Sequence, residues 1–319
     1  MMRWTVGVDF GGTTVKVGLV DDAGKIRNTR VLPTRQYGAP RAFAEGVAAA
    51  AASMAAARGV ATRRLRGIGV GAPGTVDVAR GIVQRCVNVP GWRDVPIARW
   101  LTQRLGCRCA VGNDANAFAL AEWRLGAGQG ANALIGLTLG TGVGGGLVWD
   151  GRLINGPTGS AGEVGHMVID FRGPRCGCGR RGCLEALVGT AAILRLGQAL
   201  VRRGEGTLAA RVRQAGTLMP RVIGDAGRAG DAPARRLWDI IGRRLGIGVA
   251  NLVNILNPDR IVIGGGVANN WSLFAPAMQR SLREEALPAP GRHVRVVRGR
   301  LGDRAGILGA AVLVWERSA

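Results

Sequence analysis

The 319-residue chain has only two lysines, Lys16 and Lys25, two histidines, one tyrosine and 4% aromatic residues. Arginine therefore supplies nearly all of the 43 basic side chains, which face 21 acidic ones and give a formal charge of +22. A nucleic-acid surface would need aromatic stacking partners interleaved with the basic residues, or a basic tract. Neither is present. The basic residues lie in scattered pairs such as Arg63-Arg64, Arg202-Arg203, Arg235-Arg236 and Arg243-Arg244. Nucleic acid is not expected as a partner, and the excess is read as a solvated surface, with polyphosphate the one polyanion kept as an alternative. No run of 18 or more apolar residues occurs. Ala48–Ala57 comes nearest, and it is Ala-rich and interrupted by Ser53, so no membrane span is expected. The opening Met1-Met2-Arg3-Trp4 lacks the build of a secretory signal, which points to the cytoplasm. No G-x-x-x-x-G-K-[ST] sequence exists, which excludes a P-loop enzyme. Gly69-x-Gly71-x-x-Gly74 and Gly140-x-Gly142-x-x-Gly145 have the dinucleotide spacing, but strand-like Thr75–Val78 and Leu147–Trp149 follow them. A helix is needed there to hold a pyrophosphate, so a dehydrogenase is excluded as well.

What is present suits a globular α/β protein of two domains, with 47% hydrophobic and 20% charged residues. Strands are expected over 4–9, 15–20 and 25–33 as an antiparallel meander, followed by a helix at 40–58 and a strand at 66–71. A strand at 109–111 leads into a helix from 112–114 to 125. Further strands are expected at 134–139 and 146–149, with a glycine turn over 140–146 between them. Helices are expected over 186–203, 233–256, 271–285 and 304–315, and a strand over 260–263. The strand–glycine turn–strand unit near residue 9 recurs near residue 140, a weak internal duplication that suits two similar α/β lobes.

Glycine-rich turns between strands point backbone N–H groups at a phosphate with no Cβ in the way. Gly11-Gly12-Thr13-Thr14 adds two hydroxyls, and Asp9 at the preceding strand end can hold Mg²⁺ through water. Gly140–Gly146 offers the same chemistry a second time. Asp114, after Asn113, stands at a helix start, where a carboxylate is either a cap or a general base for an attacking hydroxyl. His166, Cys176, Cys178 and Cys183 form a Cys₃His set of the kind that holds a structural zinc. The glycines between them allow tight reversals, and Arg180 and Arg181 ease the crowding of thiolate charge. Glu163 and Glu185 flank the set and can hydrogen-bond sugar hydroxyls. Cys86, Cys107, Cys109 and His293 lack partners at useful spacing and are read as packing or surface residues.

Together these segments resemble the ROK family of sugar kinases and repressors over essentially the whole chain. The resemblance rests on Asp9-Phe10-Gly11-Gly12-Thr13-Thr14 with Lys16, Gly71–Gly74, Asn113–Asn116, Leu139–Gly146, Glu163–His166, Cys176–Glu185 and Gly264–Gly266. It implies a two-lobed actin/hexokinase-like (ribonuclease H-like) α/β fold with a cleft between lobes and a structural zinc loop. The implied lobes are 1–112, completed by a C-terminal helix at 304–319, and 113–303 with the zinc loop. The implied activity is an ATP-dependent hexose kinase with Asp114 as general base, glucose the first-choice substrate and O6 the acceptor. Gly74, Asn113, Glu163, His166 and Glu185 would bind sugar, with His166 using one ring nitrogen for zinc and the other for sugar. Asp9, Gly12, Thr13, Thr14, Lys16, Thr141, Gly142 and Gly265 would hold ATP and Mg²⁺. A homodimer follows from family habit. Alternatives are an N-acetylglucosamine or N-acetylmannosamine kinase, a polyphosphate-using glucokinase, and a sugar-responsive repressor. The first strand at Trp4 leaves no room for the repressor's DNA-reading head. Val188-Gly189-Thr190 departs from a Ser-Gly pair common in relatives, a change expected to lie away from the ligands and to bear on substrate preference.

Overall fold

The computed structural model describes residues 3–34, 39–86, 89 and 91–316. β1 (Trp4–Phe10), β2 (Thr14–Asp21) and β3 (Ile26–Pro33) form an antiparallel meander, with Asp9 opposite Lys16. Val6, Val8, Val15 and Val17 are buried, so β-branched side chains both favour the strands and supply core. α1 (Pro40–Ala56) starts on a proline, whose missing N–H is one the first turn would leave unpaired anyway. β4 (Gly67–Ala72) runs parallel to β1. A small antiparallel sheet of β5 (Thr75–Asp77), β6 (Ile82–Arg85) and β7 (Arg93–Val95) precedes α2 (Ile97–Leu105). β8 (Cys109–Asn113), parallel to β4, leads directly into α3 (Asp114–Leu125).

β9 (Ala133–Leu139), β10 (Val143–Trp149) and β11 (Arg152–Leu153) repeat the strand–turn–strand theme. The glycine turn is shorter than expected, because Val143 is buried and already begins β10. The helix expected over 186–203 is two helices, α4 (Leu184–Val188) and α5 (Thr190–Arg202), which meet at an extended Gly189 with ψ 171°. The break turns Thr190 towards Gly140, whose carbonyl accepts from both its N–H and its hydroxyl. Among the described residues, Leu184–Arg202 is the one stretch whose length and mean hydropathy of 1.5 would suit a membrane. It is divided at Gly189, and Leu187, Val188, Ala192 and Ile193 are buried.

α6 (Leu208–Ala215), α7 (Pro220–Arg228) and α8 (Ala232–Leu256) follow, the last capped by Asp231, which accepts the Ala234 N–H at 2.9 Å. β12 (Arg260–Gly264), α9 (Trp271–Glu285), α10 (Pro288–His293), β13 (Arg295–Arg298) and α11 (Ala305–Glu316) complete the described chain.

The two five-stranded sheets have one plan. Their orders are β3-β2-β1-β4-β8 and β11-β10-β9-β12-β13, a meander edge followed by parallel neighbours. By internal contacts the chain forms two compact units, Met1–Gly136 with Gly146–Gly162 and Gly299–Ala319, and Leu137–Gly145 with Glu163–Arg298. In the first unit α11 lies directly on the sheet. A methyl on Gly7 of β1 would strike the Ile307 carbonyl, and one on its register partner Gly69 of β4 the Ala310 carbonyl. The paired glycines let helix backbone touch strand backbone, and Trp315 then donates to the Thr5 hydroxyl at 2.8 Å.

Candidate active site

In the first unit, the Gly11 N–H donates to the Thr14 carbonyl at 3.0 Å. Thr34 reaches across, its hydroxyl on the Gly11 carbonyl at 2.8 Å and its N–H on the Thr13 carbonyl at 3.0 Å. The Gly11, Thr13 and Thr14 carbonyls are thereby engaged, Gly12, Thr13 and Thr14 are exposed, and among the described residues no hydrogen bond takes the Gly12 or Thr13 amide. Such a row of open N–H groups is an anion cradle. Asp9 is the penultimate residue of the preceding strand. Burial raises its carboxyl above the ordinary range, the facing Lys16 pulls it back and Asp303 pushes it further up. Its carboxylate rests against Gly306 at the start of α11, where a methyl would strike it. A half-buried carboxylate against a bare glycine, beside a turn of open amides, fits a hydrated Mg²⁺.

The β8–α3 junction carries the candidate base. Asn113 Oδ1 accepts the Ala115 and Asn116 N–H groups at 2.9 and 3.2 Å, and its Nδ2 donates to the Gly74 carbonyl at 3.0 Å. Asn113 is thus a helix cap strapped to Gly74, itself at φ 88° where a side chain would strike the Arg85 carbonyl. Asp114, next along, is exposed and accepts the Ala115 N–H at 2.9 Å, which fixes its carboxylate at the positive end of the helix.

In the second unit, the ligand atoms of His166, Cys176, Cys178 and Cys183 lie within 4.8 Å of one another. Cys178 and Cys183 Sγ are 3.6 Å apart, and Cys176 Sγ is 3.7 Å from His166 Nδ1. A tetrahedral zinc with ordinary bond lengths needs S···S near ~3.8 Å and S···N near ~3.5 Å. The donors fit. Backbone bonds close the loop, Cys176 N–H to Arg180 at 2.8 Å and Gly182 N–H to Pro174 at 2.9 Å. Exposed Cys178 is drawn down to about 6 by the Arg180 N–H and guanidinium, while burial pushes the Cys176 thiol up to about 12. Protons must leave such thiols as metal enters.

The cluster reaches the two flanking acids. His166 Nε2, the nitrogen turned away from Cys176, is 3.9 Å from Glu163 Oε2. Glu185 Oε1 accepts from Cys176 Sγ at 3.5 Å, and its Oε2 accepts the Val143 N–H at 3.1 Å. A methyl on Gly142 would strike that same Oε2. Glu185 therefore joins the cysteine cluster to the second glycine turn. Within that turn the Gly140 N–H donates to the Gly142 carbonyl at 2.9 Å, and Thr190 holds the Gly140 carbonyl. Among the described residues, no hydrogen bond takes the Thr141 or Gly142 amide. Gly265, at φ 85°, packs against the Leu139 backbone at the turn's entry.

The structure thus gathers Glu163, His166, Glu185 and the three cysteines with Thr141, Gly142 and Gly265 in one unit. Asp9, Gly12, Thr13, Thr14 and Lys16, and separately Gly74, Asn113 and Asp114, are placed in the other. Thr34, Thr190, Asp303 and Gly306 are not among the site residues that the sequence points to. Thr190, from the Val188-Gly189-Thr190 segment, holds the Gly140 carbonyl of the second glycine turn with its hydroxyl and its N–H. No motif spacing could have shown this, since its partner is 50 residues away. Cys86 and Cys107 are buried, Cys109 is half-buried, and His293 is exposed beside Asp259 at 3.1 Å.

Two sheets of one strand order, each with a glycine turn of open amides between its first hairpin strands, define the actin/hexokinase-like class of α/β phosphotransferases. The chain belongs to the ROK family, whose sequence profile matches residues 5–317. It is 38% identical to a glucokinase of Halalkalibacterium halodurans over 319 residues, 99% of this chain and 96% of the relative. The solved ROK hexokinase of Thermus thermophilus superposes with a TM-score of 0.80 at 37% identity, covering 100% of this chain and 99% of that one. A ROK glucokinase of Streptomyces griseus, solved with glucose and AMPPNP, gives 0.81 at 34% identity over 98% of this chain and 99% of that one.

Proposed function

We propose that the protein is an ATP-dependent glucokinase that transfers the γ-phosphoryl group to O6 of glucose. The observation that carries this reading is the His166 ring. Its Nδ1 faces the cysteine set and its Nε2 faces Glu163, so a metal-oriented imidazole and two acids form a polar wall suited to sugar hydroxyls. The full-length similarity to glucokinases, one of them seen with glucose and an ATP analogue, supports the same reading.

In this reading Glu163, His166 and Glu185 accept from and donate to the hexose hydroxyls, with Asn113 and Gly74 supporting the acceptor end. Asp114 takes the O6 proton as O6 bonds to the γ-phosphorus and the bond from phosphorus to the β-phosphate bridging oxygen breaks, releasing ADP. The amides of Gly12, Thr13, Thr141 and Gly142, with the Thr13 and Thr14 hydroxyls, Lys16 and Gly265, receive the phosphate oxygens. Asp9 would hold Mg²⁺, which neutralises charge on the phosphates. His166, Cys176, Cys178 and Cys183 would hold zinc, which supplies rigidity to the sugar wall and no step of the reaction. A cytoplasmic homodimer completes the proposal.

The test is a coupled ADP-release assay over a panel of hexoses and N-acetylhexosamines, run with ATP and with polyphosphate. Glucose with ATP is expected to give the highest kcat/KM. A higher value for an N-acetylhexosamine, or for polyphosphate as donor, would reassign the substrate. Asp114→Asn is expected to lower kcat by on the order of 10² or more with glucose binding retained. An unchanged kcat would remove Asp114 from the chemistry.

A further inference from the structure

The two glycine turns share a feature that lies outside both motifs. The Thr34 hydroxyl donates to the Gly11 carbonyl at 2.8 Å, and the Thr190 hydroxyl donates to the Gly140 carbonyl at 2.7 Å. Each threonine thus holds the carbonyl of the first glycine in its turn. Each comes from far along the chain, 23 residues away in one case and 50 in the other. Each adds its own N–H, Thr34 to the Thr13 carbonyl and Thr190 to the Gly140 carbonyl, both at 3.0 Å. Thr34 is 3% exposed, so its hydroxyl would be an unsatisfied buried group without this bond.

Peptide planarity gives the contact its consequence. The carbonyl of one residue and the N–H of the next belong to one trans plane and point in opposite directions. Holding the Gly11 carbonyl therefore aims the Gly12 N–H the other way, and holding the Gly140 carbonyl does the same for the Thr141 N–H. These are among the amides that no internal bond takes. A glycine peptide can flip at small steric cost. Flipped, it would present a carbonyl oxygen to a phosphate, exchanging attraction for repulsion.

We infer that Thr34 and Thr190 are a matched pair of positioning residues, each locking one peptide plane so that its N–H serves the phosphates of the donor. The inference rests on the reading that both turns hold those phosphates. It concerns residues that touch no reacting atom and act through the turn.

The experiment compares Thr34→Val and Thr190→Val, which keep shape and lose the hydroxyl, with Thr34→Ser and Thr190→Ser, which keep it. AMPPNP affinity by calorimetry, KM for ATP, KM for glucose and Tm are measured for each. Each Val variant is expected to weaken AMPPNP and raise the KM for ATP by on the order of ten-fold, while the KM for glucose stays within about two-fold. The Ser variants are expected to restore both. If a Val variant does not fold, Thr→Ala at that position carries the comparison with Ser. Equal AMPPNP affinity in the Val (or Ala) and Ser variants overturns the inference, as does a parallel rise in both KM values. A wild-type chain that binds AMPPNP and phosphorylates no sugar would refute the kinase reading while leaving the threonine comparison decisive. A wild-type chain that does not bind AMPPNP overturns both.

Discussion

Gly142→Ala isolates the link between the second glycine turn and the cysteine cluster. Gly142 has an ordinary φ, so its backbone accepts alanine, and the new methyl meets one group, Glu185 Oε2. That oxygen is the end of a flexible side chain and can move. Moving it breaks the bond from the Val143 N–H at 3.1 Å and leaves that amide unpaired on a residue 5% exposed. A hydrogen bond to a charged acceptor contributes about 1.5–3 kcal/mol, and the same term covers the stranded donor. If the bond shapes the bound state, kcat/KM falls roughly ten- to hundred-fold. Because Glu185 also belongs to the proposed sugar set, the loss should be seen for glucose as well as for ATP. Steady-state kinetics with each substrate varied in turn, together with hydrogen exchange at the Val143 amide, reads both halves of the argument. An exposed, fast-exchanging Val143 amide with unchanged kcat/KM would refute the claim that this contact matters to the site.

Two further outcomes follow from the charges described above. Burial raises the Asp9 carboxyl, so the folded chain holds that proton more tightly than the unfolded chain does, and ligand-free stability falls as pH climbs from the ordinary carboxylate range through the raised value. Asp9→Asn should therefore melt higher than wild type near pH 7 and no higher near about pH 3, while turnover is lost; equal melting at neutral pH would show that the buried charge carries no penalty. Elemental analysis should find zinc bound to the purified protein, and a strong chelator should lower both Tm and glucose affinity together; full glucose affinity after complete metal loss would detach the sugar wall from the cysteine cluster.

The parts of the fold that the sequence announces are those where a local pattern and the final environment agree. Trp4–Phe10 and Thr14–Asp21 are apolar runs around Gly11–Thr13, and they form the strands and turn that the pattern suggests. Asn113 and Asp114 stand before a helical run, and α3 begins there. The Cys₃His spacing brings four ligands within reach of one another for the same reason, since its loop is short and rich in glycine. What stayed hidden depends on distant partners. The break at Gly189 is invisible in an otherwise continuous helical stretch, because the Gly140 carbonyl that Thr190 meets there is 50 residues away. Glu185 reads in the sequence as an acid flanking the cysteines and suited to sugar hydroxyls, and only the folded second unit shows one of its oxygens on the Val143 amide. The small sheet of β5, β6 and β7 and the helices α6 and α7 were likewise not foreseen, as their segments are short and carry weak periodicity.

The bare glycines under α11 set a timetable for biosynthesis. Trp315 on that helix bonds to Thr5 on the first strand across a separation of 310 residues. At 5–20 residues per second, the ribosome needs roughly 15–60 s to deliver the helix after the first strand has been made. Through that interval the face of β1 and β4 that carries Gly7 and Gly69 has no cover, and a pair of side-chain-free positions gives it nothing with which to protect itself. The second unit, whose residues end at Arg298, is synthesised in full before the first can close. The order of completion is thus the reverse of the order of appearance, and a truncated or stalled chain would carry a finished cysteine loop in one unit and an uncovered sheet in the other.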